Sequence, residues 1–136
     1  MFKVKVLTIG KCREPWLSAA LAEYEKRLEG RVAIEWLLAK GVQQLAEWAR
    51  QTPYIALDLK GRLLSSEEWH QKMGALGSRL TFVIGDASGL SPLILDGAQF
   101  RWSLSPLTFT HQMTRLILLE QLYRASEIER GSRYHK

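Results

Sequence analysis

The stretch Leu80-Thr81-Phe82-Val83-Ile84-Gly85-Asp86-Ala87-Ser88-Gly89 decides the fold class. Residues 80–84 form a short apolar and β-branched run, which reads as a strand, and a glycine-bounded loop follows at once. A strand buried on both faces is the habit of parallel sheets flanked by helices.

Working outward, the same alternation recurs on either side. Upstream, Ser65 and Glu68 are spaced as a capping box, so residues 67–76 are predicted helical. Before them, residues 54–59 read as a buried strand, with a turn expected at Lys60-Gly61. Residues 42–50 form a short helix and residues 31–38 a strand. Glu14-Pro15-Trp16 opens a helix, with proline placed in its first turn. Leu17, Leu21, Tyr24 and Leu28 recur along that helix at helical spacing until Gly30 stops it. Residues 2–9 are the first strand. Downstream, a helical turn is expected over 93–97, a short strand over 100–104, and the longest helix over 111–130.

Strands separated by helices of roughly ten residues imply parallel pairing. The expectation is therefore an α/β fold: one domain, residues 1–136, with a mostly parallel sheet of five to six strands and helices on both faces. Ligands in such sheets sit beyond the carboxyl ends of the strands. That selects three loops: residues 58–62, 85–89 and 105–110. Leu116-Ile117-Leu118-Leu119 is apolar nearly all round its helix, which suits either a central core helix or a subunit interface.

The bulk composition narrows the function classes. The chain has 136 residues, 46% hydrophobic and 24% charged, with a formal net charge of +5. A basic surface suits an acidic partner, of which nucleic acid is the commonest. A single cysteine, Cys12, allows no internal disulfide, so a reducing, cytoplasmic compartment is expected. No apolar run is long enough to span a bilayer, and the N-terminal residues lack the apolar stretch of a signal peptide. His70, His111 and His135 show no metal-ligand spacing, so no metal is expected. No Gly-x-Ser-x-Gly elbow supports a hydrolase triad.

Several segments could carry chemistry. The loop Gly85-Asp86-Ala87-Ser88-Gly89 matches neither the dinucleotide fingerprint nor the phosphate-binding loop of nucleotide hydrolases. It suits either a tight connection or a ligand contact. The segment Trp102-Ser103-Leu104-Ser105-Pro106-Leu107-Thr108-Phe109-Thr110-His111 lies between a strand and the apolar helix. Its backbone groups need partners, and Leu104, Leu107 and Phe109 offer apolar faces to an adenine-bearing ligand. His111 and Arg115, four apart, share a helix face, as do Glu120 and Arg124.

With these residues assembled, the chain resembles the SPOUT-class methyltransferases. Within them it is similar to the ribosomal large-subunit methyltransferase H family, which methylates N3 of pseudouridine in 23S rRNA. The match runs from Val6-Leu7-Thr8-Ile9-Gly10-Lys11 through Ala56-Leu57-Asp58 and Phe82-Val83-Ile84-Gly85. It is densest in Ser103-Leu104-Ser105-Pro106-Leu107-Thr108-Phe109, His111-Gln112-Met113-x-Arg115 and Glu120-Gln121-Leu122-Tyr123-Arg124-Ala125, and it ends in Tyr134-His135-Lys136.

The resemblance implies a C-terminal trefoil knot, a homodimer, and S-adenosylmethionine as cofactor, with the assembled ribosome as substrate. It implies cofactor contacts at Leu57, Gly85, Leu104, Ser105, Pro106, Leu107, Thr108 and Phe109. His111, His135 and Arg115 become the candidate catalytic residues, and Arg124, Tyr134 and Lys136 the candidate RNA contacts. The chain departs from the family pattern at Asp86, where a second glycine is usual, and at Thr110, where proline is usual. Two other readings remain: a SPOUT enzyme of another RNA such as tRNA, and an RNA-binding dimer without activity.

Overall fold

The computed structural model describes residues 1–134. Ten elements alternate along the chain: β1 (Phe2–Ile9), α1 (Pro15–Leu28), β2 (Val32–Ala39), α2 (Val42–Ala49), β3 (Ile55–Leu63), α3 (Ser66–Leu76), β4 (Arg79–Val83), α4 (Pro92–Gly97), β5 (Phe100–Ser103) and α5 (His111–Glu129). The strands make one sheet in the order β2-β1-β4-β3-β5, and every pairing is parallel.

Strand alternation divides the side chains between two layers. Val4, Val6, Leu80, Phe82, Ile55 and Trp102 face the layer of α1, α3 and α5, and with Leu17, Leu21, Trp69, Leu118 and Leu122 they form the main core. Trp69 and Trp102 stack there, with centroids 3.9 Å apart at 16°. Leu7, Val83 and Tyr54 point the other way and pack with Leu45, Ala49 and Ile94 from α2 and α4.

Local rules account for the helix starts. Pro15 sits in the first turn of α1, and Ser65 and Glu68 make the reciprocal capping box of α3. Thr110, the position where proline is usual, caps α5 by accepting from the Met113 N–H at 3.1 Å. α5 is a core helix for much of its length: Leu118, Leu119 and Leu122 are fully buried, while Leu116 and Ile117 are half-buried.

One expectation fails. Lys60-Gly61 is not a turn, because β3 runs through it to Leu63. The ladder with β5 shifts register between Leu57 and Arg62, so this part of β3 is irregular. A Cβ on Gly61 would lie 2.8 Å from the Arg101 carbonyl carbon. The glycine answers a close approach of two strands, not a reversal.

Candidate active site

Of the three loops selected from the sequence, residues 58–62 are strand and not loop; the other two, residues 85–89 and 105–110, converge with residues 57–59 of β3. They enclose a cleft of about 660 Å³, a size ordinary for small-molecule sites. Its lining includes Leu57 and Asp58 from β3, Ile84 and residues 85–89 after β4, and Trp102 to Ser105 at the end of β5. Leu107, Thr108, Phe109 and Thr110 continue it, and His111 and Thr114 from the first turn of α5 close it. Of the eight expected cofactor contacts, all but Pro106 line the cleft.

The two loops hold their shape largely by internal bonds. Asp86 accepts from the Ser88 N–H at 2.9 Å and from the Ser88 hydroxyl at 2.6 Å. These bonds, with His111 nearby, hold its carboxyl below the ordinary aspartate range. The Gly89 N–H then bonds the Asp86 carbonyl and closes the turn. A Cβ on Gly85 would lie 2.5 Å from the Gly89 carbonyl oxygen, so glycine is required by the turn itself. In the second loop, the Ser103 hydroxyl donates to the Ser105 carbonyl, and the Leu107 N–H donates to the Ser105 hydroxyl.

The glycine loop is tight, and it also forms one wall of the cleft. Asp86 lines the cleft with one carboxylate oxygen, Oδ1, engaged by Ser88.

The remaining candidates separate. His111 stands on the cleft wall, half-buried. Arg115, one turn further along α5, is 1% exposed and does not line the cleft. Its guanidinium donates to the carbonyls of Ile9 and Gly10 at 3.0 and 2.9 Å, and burial lowers its pKa. It fastens the end of β1 to α5. Arg124 bonds Glu120 at 2.8 Å and lies over the Tyr134 ring, while the Tyr134 hydroxyl donates to Glu120 at 3.0 Å. Tyr134 also packs edgewise on Tyr123, so the visible end of the chain is docked on its own last helix. His135 and Lys136 lie outside the described residues.

The sequence reading did not single out Asp58, Ile84, Trp102 or Thr114 as site residues. Asp58 and Trp102 belonged to segments selected from the sequence, and Ile84 to the strand ahead of the glycine loop, but nothing local marks Thr114. Trp102 is buried with its indole N–H unpartnered beside the cleft. Apolar side chains, loop hydroxyls and this orphaned donor are the surroundings that an adenosine-bearing group fits. Among the described residues no cluster could hold a metal ion, and no helix is long and apolar enough to cross a membrane.

A family model described as "Predicted SPOUT methyltransferase" matches residues 2–135. The ribosomal RNA large subunit methyltransferase H of Protochlamydia amoebophila is 50% identical, with 100% of both chains covered. A probable methylase family protein from Haemophilus influenzae has the same fold, with a TM-score of 0.63 at 12% identity over 98% of this chain and 70% of that one. A methyltransferase from Legionella pneumophila, solved with bound S-adenosylmethionine, gives a TM-score of 0.55 at 12% identity, covering 92% and 66%.

Proposed function

The chain belongs to the SPOUT methyltransferase family, and we propose that it transfers a methyl group to N3 of a pseudouridine in large-subunit ribosomal RNA, on the assembled ribosome in the cytoplasm. The enzyme is a methyltransferase and its cofactor is S-adenosylmethionine. The observation that carries the proposal is the cleft built from residues 57–59 of β3 and the loops after β4 and β5, in a chain matched end to end by a relative named as a ribosomal RNA large subunit methyltransferase.

S-adenosylmethionine supplies, when bound, a methyl group already activated on a sulfonium. The protein's tasks are to orient and to manage a proton. In this proposal Leu57, Leu104, Leu107 and Phe109 flank the adenine. Gly85, Ser105, Pro106 and Thr108 complete the cradle with backbone and hydroxyl groups. His111, on the wall, is the described residue best placed to take the N3 proton, and His135 is the other candidate. Arg115 acts by fixing the Ile9-Gly10 end of β1 against α5. Arg124, Tyr134 and Lys136 belong to the RNA side.

A trefoil knot belongs to the same proposal. β4 and β5 lie on opposite sides of β3, and α5 returns to pack on α1 and α3. A homodimer is supported by the half-buried apolar residues Leu116 and Ile117 on α5. The reading as an RNA binder without activity rested on Asp86, whose carboxylate is already engaged by Ser88.

The decisive test is methyl transfer from labelled S-adenosylmethionine to ribosomes lacking the native mark, with the product nucleotide identified by mass spectrometry. Labelling of tRNA and not ribosomes would sink the proposal. Unchanged turnover in both His111→Ala and His135→Ala would remove the proton assignment alone.

A further inference from the structure

The amino-terminal half of one sheet face is uncovered. Lys3, Lys5 and Leu7 point to the α2/α4 side, as do Arg79, Thr81 and Val83, and Ala33, Glu35 and Leu37. Register aligns these residues in rows across β2, β1 and β4: Ala33-Lys3-Arg79, Glu35-Lys5-Thr81 and Leu37-Leu7-Val83. The apolar row is covered by α2 and α4. Apart from Thr81, which is buried beside Thr52, the other two rows are not, for a reason of length. Eight residues of β1 span about 26 Å, whereas α2 and α4, at eight and six residues, span about 12 and 9 Å.

Parallel sheets ordinarily have both faces covered. Here Lys3, Lys5, Arg79 and Glu35 are exposed. They border a concavity of about 550 Å³ that also takes in Thr52, Thr81 and Gln99. Neighbouring cations on this grid stand about 5–7 Å apart at the backbone. None of the three forms a salt bridge among the described residues. Three like charges face a single carboxylate, beside hydroxyl and amide donors. Lysine, arginine, threonine and glutamine are the side chains that contact nucleic-acid phosphates.

We propose that this bare face docks the phosphate backbone of the RNA substrate, as a second contact at the end of the sheet opposite the cleft. The proposal rests on the reading of the protein as an rRNA methyltransferase. It assigns to Lys3, Lys5 and Arg79 an affinity role and no part in the chemistry.

The test is the triple variant Lys3→Gln/Lys5→Gln/Arg79→Gln, compared with the wild type on unmodified large-subunit particles and on protein-free rRNA. Folding is followed by circular dichroism, and Lys26→Gln, an exposed α1 lysine, serves as the control. The expected result is a KM for particles raised about tenfold, with kcat and the S-adenosylmethionine Kd unchanged. Direct binding to protein-free rRNA should weaken by a similar factor, and the slope of log affinity against log salt should fall by about two. Glu35→Gln should tighten binding.

A salt slope equal to that of the wild type overturns the proposal while leaving methyl transfer intact. A loss seen with particles but absent with protein-free rRNA also overturns it, because the occupant is then a ribosomal protein. Inorganic phosphate binding the wild type and not the variant, with RNA binding equal in both, overturns it in favour of a free anion. If the wild type methylates no RNA and the difference in rRNA affinity persists, the docking face stands and the methyltransferase reading falls.

Discussion

At the carboxyl ends of the strands the chain leaves regular geometry, and at the amino ends it keeps it. The cleft wall is set by backbone: a turn whose glycine tolerates no side chain and a self-bonded serine loop. The opposite end is made by side chains projecting from an undisturbed ladder. α5 joins the two. It begins at His111 on the cleft wall and reaches Glu127 about 24 Å away, where that carboxylate bonds Arg31 just ahead of β2. The lesson is that substitutions should divide by region: backbone-disturbing changes act at the cleft, and charge changes act at the far end.

The largest effect should come from Gly85→Val. The added side chain cannot share space with the Gly89 carbonyl, so the turn must open. Calorimetric titration should show S-adenosylmethionine binding weakened at least about 100-fold, the equivalent of ~2.7 kcal/mol, with far-ultraviolet circular dichroism preserved. Wild-type binding by this variant would break the comparison at its first term.

Next is Glu127→Gln, at the far end. Ser132 and Arg31 hold the Glu127 carboxyl at about 2, against its usual 4.5. A depressed carboxyl contributes stability that is complete above the unfolded value and is lost as pH falls through the folded one. Urea unfolding should show the variant about 2 kcal/mol less stable at pH 7, with the two proteins converging between pH 4.5 and pH 2. Cofactor affinity should not move. A parallel loss of cofactor binding would mean that α5 transmits strain between the ends.

How much of this was legible beforehand follows from where each cause resides. The strand and helix sequence, the capping box and the loops after β4 and β5 were readable because their causes are local: spacing, caps and glycine. Gly61 was misjudged because its cause is the Arg101 backbone, forty residues on. The bare face was invisible for the same reason. Lys3 and Lys5 alternate plainly in the sequence, but their row with Arg79 exists only once β1 pairs with β4. The resemblance placed Arg115 among the catalytic candidates. Its burial under Gly10 depends on how α5 returns to the sheet, which no local pattern expresses.

Arg115→Met gives a smaller effect that sharpens this point. Two charge-assisted bonds are lost, but a desolvated charge is removed with them, so the net cost should be about 1 kcal/mol in thermal or urea unfolding. A collapse of kcat at unchanged stability would instead put the guanidinium in the chemistry. The smallest effect belongs to Asp86→Gly. Because Ser88 already engages that carboxylate, S-adenosylmethionine affinity should change less than about threefold, under ~0.7 kcal/mol. A larger gain would show that the carboxylate opposes the cofactor.

The stacked indoles of Trp69 and Trp102 give the molecule an optical signature. Two stacked, nearly parallel rings 3.9 Å apart have strongly coupled electronic transitions, and one of them borders the cleft. Their near-ultraviolet dichroism and emission should respond to a guest arriving beside Trp102. Occupancy could then be followed by light alone, without a label and before any methyl group has moved.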